Sequence, residues 1–354
     1  MAKKKIITKK SEVFLEKYLN NPSPTGFESG GQKMWLDYIS PYIDEHFVDT
    51  YGTVVGVINP EAKYKVVIEA HADEISWFVH YITKDGYIYL RRNGGSDHQI
   101  APSKRVNIHT KKGMVKAVFG WPAIHTRTAG AEKSPKLDNI FLDCGCATKE
   151  EVEELGIHVG CVVTYEDEFM ILNDKYYVGR ALDNRIGGFM IAEVARLLKE
   201  NKVKLPFGLY ITNSVQEEVG LRGAQMIVER IRPDIAIVTD VCHDTGTPMI
   251  NKIKQGDTKC GDGPVLTYGP AVQNNLLELI ITAAEKNKIP FQRAAASRAT
   301  GTDTDAFAYA TGGVASSLIS LALRYMHTTV ETVSREDVEN VIRLIYESLQ
   351  KIKN

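Results

Sequence analysis

Three short runs constrain this chain most. Residues 65–71 (KVVIEAH), 207–214 (FGLYITNS) and 234–241 (DIAIVTDV) are almost continuously apolar. A strand with one wet face alternates apolar and polar side chains, so unbroken runs of this length belong to strands covered on both faces. Covering both faces takes helices, and the intervals supply them. Residues 184–199 place Ile186, Phe189, Met190, Val194, Leu197 and Leu198 at helical spacing. Residues 11–20, 28–39, 272–287 and 335–350 also read as helices, and 53–59, 290–295 and 314–320 as further strands. Strands alternating with helices predict an α/β protein with a doubly wound, mainly parallel sheet.

A different texture interrupts this pattern. After residue 75, WFVHYITKDGYIYL sets Asp85-Gly86 between two β-rich runs, a hairpin signal. RVNIHTKKGMVKAVFG gives a second hairpin turning near Gly113, CVVTYE (161–166) one more strand, and only 149–155 looks helical. The block reads as a small β-rich barrel or sandwich, and an inserted small β-barrel is the fold expected. The expected division is 1–74, the first part of a catalytic domain; 75–165, the insertion; and 166–354, the second part. A chain of 354 residues suits two domains.

Charge and cysteine usage narrow the partners. Lys+Arg is 43 and Asp+Glu 44, a net charge of -1, so no basic field holds the chain to nucleic acid. No apolar run approaches the roughly 18 residues of a membrane span, and the basic start MAKKKIITKK has no apolar stretch behind it. The five cysteines, 144, 146, 161, 242 and 260, are odd in number and irregular in spacing, which does not suggest a disulfide framework. The expectation is a reduced, cytoplasmic protein with no membrane partner.

The chemistry gathers at the predicted strand ends. His71-Ala72-Asp73-Glu74 follows the first buried run, Gln216-Glu217-Glu218 the second, and Asp240 closes the third, with His243 and Asp244 nearby. Open α/β sheets bind ligands at that edge. A strand-end His suits zinc, and Asp73 is placed to hold its other ring nitrogen; the plain alternative is a His at a turn beside a solvated acid. Asp183 opens the long helix, where an N-cap is its ordinary role. Gly187 and Gly188 inside that helix weaken it by roughly 1 kcal/mol each, which implies a close approach. Adjacent Glu217 and Glu218 repel unless a cation compensates; otherwise they form an exposed acidic turn. His327, in RYMHTTVE, is by itself more often a satisfied histidine than a ligand. Together, two histidines and three carboxylates make a donor set for two metal ions, zinc first, with cobalt or manganese also suited.

AHADE (70–74), ALDNRIGG (181–188), QEEVGLRGA (216–224), TDV (239–241), GTDTDAF (301–307) and RYMHTTVE (324–331) resemble the tetrahedral and glutamyl aminopeptidases, of the dinuclear zinc aminopeptidase clan, over nearly the whole chain. The resemblance implies that Asp183 bridges two metals, that His71 and Asp240 complete one site and Glu218 and His327 the other, that Glu217 is the general base, and that Asp73 orients His71. It implies a cis peptide after Asp183, peptide substrates with a free N-terminus, and a homo-oligomer, commonly a tetrahedral dodecamer built through the insertion. Where the family usually has Gly after A-H-x-D-E-I, this chain has Ser76 and then Trp77. Spacing alone does not separate an aminopeptidase from a carboxypeptidase or deacylase. A glycosidase needs opposed carboxylates but not the two histidines, and ranks low; a non-enzymatic scaffold predicts lost ligands. Arg293 or Arg298 in the 291–310 segment would suit an acidic first residue, but surface or subunit contacts are the favoured reading for both.

Overall fold

The computed structural model describes residues 6–130 and 133–353. They form two compact units: one of the residues up to Glu74, Phe169–Met326 and those from Val330 onward; the other of Ile75–Glu168 with His327–Thr329.

The first unit is built on an eleven-stranded sheet. At its centre Gly208–Ser214, Lys65–His71, Ile235–His243 and Ala315–Arg324 lie side by side and parallel. These hold the apolar runs of the sequence, and nearly every side chain in them is buried. The flanks are antiparallel. Val54–Ile58 joins Gly208–Ser214 on one side; Glu331–Ser334, Tyr176–Gly179 and Met170–Leu172 extend the other. The four parallel central strands are the ones buried on both faces, as the hydrophobic pattern requires, and off this path Val265–Tyr268 and Gln292–Ala295 form a further parallel pair.

Register decides what meets at the edge. His71 pairs with Ser214, and Val238 with Glu69. Asp240, two residues beyond Val238, is therefore level with His71.

Helix Leu182–Glu200 is buried along most of its length and packs on Lys65–His71. Its glycines explain the fit. A Cβ on Gly187 would stand 2.8 Å from Ala70 Cβ, and one on Gly188 2.7 Å from Asn213 Oδ1. Ala181, in the left-handed region, is the helix's cap residue rather than Asp183. Asp183 and Asn184 have non-helical angles, and the bond between them is cis.

The second unit is a closed six-stranded antiparallel barrel in the order Ser76–Ile82, Ile88–Asn93, Phe141–Asp143, Gly113–Gly120, Arg105–Thr110 and Val162–Tyr165. Both predicted hairpins form. Trp77, Val79, Leu90, Val106, Ile108, Phe119 and Leu142 fill its centre, and Trp77 meets Phe119 edge-on at 5.8 Å. Closure removes the exposed strand edges that so small a sheet would otherwise present.

Candidate metal centre

His71 is the hub. It ends its strand almost fully buried, with Nε2 3.2 Å from Asp183 Oδ1, 3.8 Å from Glu217 Oε2 and 3.9 Å from Asp240 Oδ1. Its Nδ1 lies 3.4 Å from Asp73 Oδ1. Within the first unit, two triads have ligand atoms within 4.8 Å of one another: His71, Asp183 and Asp240, and His71, Glu217 and Glu218.

Three elements deliver the acids. Asp240 comes up the central strand. Asp183 is turned in by the irregular first turn of its helix, where its N–H donates to Glu331 Oε2 at 3.0 Å and Asn184 Nδ2 donates to the Thr239 carbonyl at 2.7 Å. Glu217 and Glu218 start a single 3-10 turn, Glu217–Val219, after Gln216, whose φ of 57° is left-handed. Asp73, fully buried, holds that turn: Oδ1 accepts the Glu217 N–H at 3.0 Å, and Oδ2 accepts the Glu218 N–H at 3.2 Å and the Thr25 hydroxyl at 2.8 Å.

Crowding shifts the acids together. Burial, then the nearby Asp303, Asp183 and Asp73 against an opposing His71, pushes Glu217 up to about 8. Burial foremost, with Asp183, raises Glu218 well above the usual carboxylate range; burial does the same to Asp240. Burial alone would lower His71, but hydrogen bonds from its ring to Asp183 and Asp73 outweigh it and raise it well above its ordinary value. Among the groups acting most strongly on these three acids, His71 is the one of opposite sign. Imidazole and carboxylate oxygens pressed together against their own repulsion are a donor set that fits divalent cations.

His327 falls with the second unit, three residues beyond the end of Ala315–Arg324. Its φ of 61° is left-handed, and its Nδ1 is 3.2 Å from the Gly95 carbonyl. A Cβ on Gly95 would stand 2.5 Å from that ring nitrogen, so only glycine lets the imidazole lie there. His243 is exposed, while Asp244 is buried and paired with Arg324 at 2.9 Å. Arg293 and Arg298 are both exposed, and Arg293 lies over the Phe291 ring at 4.7 Å.

Sequence reasoning passed over four acids. Glu69 and Asp303 are buried against each other; burial pushes Glu69 up to about 7, and burial with Glu69 raises Asp303 well above its usual range. A lone acid inside the apolar run KVVIEAH was the available signal for Glu69. Glu331 and Glu28, both buried, brace the backbone of the site.

A parallel sheet whose C-terminal edge gathers carboxylates about one imidazole, with a barrel inserted in the chain, has the build of an α/β peptidase. The chain belongs to the M42 glutamyl aminopeptidase family, whose profile matches residues 52–344; it is an enzyme of peptide-bond hydrolysis. It is 32% identical over 342 residues to the lysyl aminopeptidase of Pyrococcus furiosus, covering 96% of each chain. Among solved structures it resembles a TET aminopeptidase from a marine sediment archaeon of the Thaumarchaeota, with TM-score 0.90, 31% identity and 96% of each chain covered. It also resembles the Pyrococcus horikoshii TET1 peptidase, described as assembling into a tetrahedron or a large octahedral shell, with TM-score 0.84, 27% identity, and 95% and 98% covered.

Proposed function

We propose that the protein removes N-terminal residues from peptides at a centre of two divalent cations, zinc first, with cobalt or manganese as alternatives. The observation that carries this reading is the convergence of Asp183, Glu217 and Asp240 within 4 Å of His71 Nε2, in a family of aminopeptidases. His71, Asp183 and Asp240 would hold one cation, and Asp183, Glu218 and His327 the other. When bound, the cations polarise the scissile carbonyl and acidify the attacking water.

The protein's own groups do the rest. Asp73 beside Nδ1 keeps the His71 proton on that nitrogen and turns the Nε2 lone pair toward Asp183 and Asp240. Glu217 accepts a proton from the attacking water on its carboxylate and returns it to the leaving amine.

No helix among the described residues is long and apolar enough to cross a membrane. We assign the enzyme to the reducing cytoplasm, where its five free cysteines fit, and to a homo-oligomeric shell, a dodecamer like those of its structural relatives. The exposed Arg293 and Arg298 favour surface roles over an acidic specificity pocket.

The test is hydrolysis of a dipeptide series by enzyme loaded with zinc or cobalt, each peptide with a free and an acetylated N-terminus. Only free forms should be cleaved, and a chelator should abolish cleavage. Cleavage of the acetylated forms would make the enzyme a deacylase or endopeptidase. Glu217→Gln should keep its metal and lose most activity; loss of metal would make Glu217 a ligand. Asp183→Ala should empty both sites.

A further inference from the structure

We propose that Glu28 is a positioning residue for the general base: it holds the Gln216 end of the turn that presents Glu217. The inference rests on the reading of Glu217 given above. Glu28 occupies the N-cap position of helix Ser29–Ile39 but makes no side-chain cap. Its carboxyl turns away from its own helix. Oε1 accepts the Gly26 N–H at 2.7 Å and, across the molecule, the Gln216 N–H at 3.3 Å. The side chain is only 3% exposed, so this orientation is fixed by packing as well as by hydrogen bonds.

Gln216 is where the turn needs holding. Its φ of 57° is unfavourable for a residue with a Cβ, by roughly 1–2 kcal/mol. The N–H groups of residues 216, 217 and 218 then go in succession to two buried carboxyls: the first to Glu28, the next two to Asp73. Thr25 ties the two carboxyls' supports together by donating to Asp73 from the segment that carries Glu28. Without Glu28 the Gln216 N–H loses its acceptor, and the residue is held only from its carbonyl side, where it accepts the Arg222 N–H at 3.1 Å. A shift there would swing the Glu217 side chain, and misplacement by about 1 Å can cost about a hundred-fold in rate. Burial first, then Asp73, pushes Glu28 up to about 7, so at neutral pH it can accept these N–H groups while partly protonated. A glutamine can do the same.

The experiment compares wild type, Glu28→Ala and Glu28→Gln in three readouts: amide hydrogen exchange of the peptide spanning 215–218 in the metal-free protein, steady-state kinetics of the zinc-loaded enzyme on a free dipeptide, and bound metal. Glu28→Ala should speed exchange at 216–218 and lower kcat, each by about ten-fold or more, with KM within about two-fold and metal content unchanged. Glu28→Gln, which keeps the acceptor oxygen, should recover most of both losses. Wild-type exchange and kcat in Glu28→Ala would overturn the proposal. So would equal damage in the Gln variant accompanied by a lower melting temperature, which would make Glu28 a packing residue only. Glu217→Gln runs alongside: if it stays active, the base assignment fails, and the exchange data still judge the brace.

Discussion

Replacing Asp73 by alanine strips one fully buried carboxylate of four partners at once: the Thr25 hydroxyl, the Glu217 and Glu218 amides, and His71 Nδ1. A hydrogen bond to a charged acceptor contributes about 1.5–3 kcal/mol, so the three hydrogen bonds amount to a gross loss of about 4.5–9 kcal/mol. In the metal-free protein much of this is offset. Asp73 is one of the charges that raise Glu217, Glu218, Asp303 and Glu28, and deleting it relieves all four. The offset shrinks once cations neutralise the cluster, so the variant should suffer more loaded than empty. The measurable result is a metal affinity about 10–100-fold weaker, the usual effect of losing the carboxylate behind a ligating histidine. That is about 1.4–2.7 kcal/mol. Competition with a chromophoric chelator gives the affinity, and melting curves with and without metal give the coupling. Asp73→Asn keeps one acceptor oxygen but aims an amide N–H at another donor, and should fall between. An alanine variant that binds metal within about two-fold of wild type would refute the reasoning, because His71 would then be oriented without Asp73.

Three further outcomes are expected. Gly187→Ala gains about 1 kcal/mol of helix propensity but places a methyl 2.8 Å from Ala70 Cβ and 2.7 Å from Asn184 Nδ2, an overpacking cost of about 1–3 kcal/mol; the melting temperature should fall, and a rise would show that helix and strand can separate freely. Metal uptake at pH 7 should release at least about one proton per chain, because the metal-free Glu217, raised to about 8, together with Glu218 and Asp240, holds protons that cations displace; calorimetry in two buffers of different ionisation enthalpy would show a buffer-independent heat if this were wrong. The metal-free protein should lose stability as pH rises. Folded Glu69 at about 7 and Glu217 at about 8 lie above the 4.5 of an ordinary glutamate, so their contribution is complete below about 4.5 and is lost as pH climbs through 7 and 8; a melting temperature flat from pH 5 to about 8 after chelation would contradict these shifts.

The frame of the molecule was legible because burial on both faces leaves a mark on sequence. The runs KVVIEAH, FGLYITNS and DIAIVTDV could not sit anywhere wet, and they became the parallel centre of the sheet. The glycine pair at 187 and 188 reported a close helix–strand approach for the same reason. The antiparallel flanks left no such mark. Met170–Leu172, Tyr176–Gly179 and Glu331–Ser334, like Phe141–Asp143 in the barrel, are three or four residues each, too short to show a period, and their pairing is set by tertiary neighbours. Ala315–Arg324 runs past the predicted end at 320 because Leu321, Ala322 and Leu323 remain covered.

The acids divide along the same line. His71, Glu217, Glu218 and Asp240 stand at the ends of runs whose strand character was already plain, so strand prediction and site prediction were one inference. Asp183 was ambiguous because an acid at a helix start usually caps it; the structure gives the cap to Ala181 and frees the carboxylate to face His71. Glu28, Glu331 and Asp303 could not be found by spacing. Glu28 acts 188 residues away on Gln216, and Glu331 148 residues away on Asp183. What Glu28 and Glu331 supply is restraint. A cluster of like charges relaxes by turning side chains outward unless the backbone beneath each one is fixed. Here the amides of residues 183, 216, 217 and 218 are each fixed by a buried carboxyl from another part of the chain. The acids facing the centre thus keep a crowded arrangement because a second set of acids grips the turns that carry them, and of that set Glu28 and Glu331 appear only once the chain is folded.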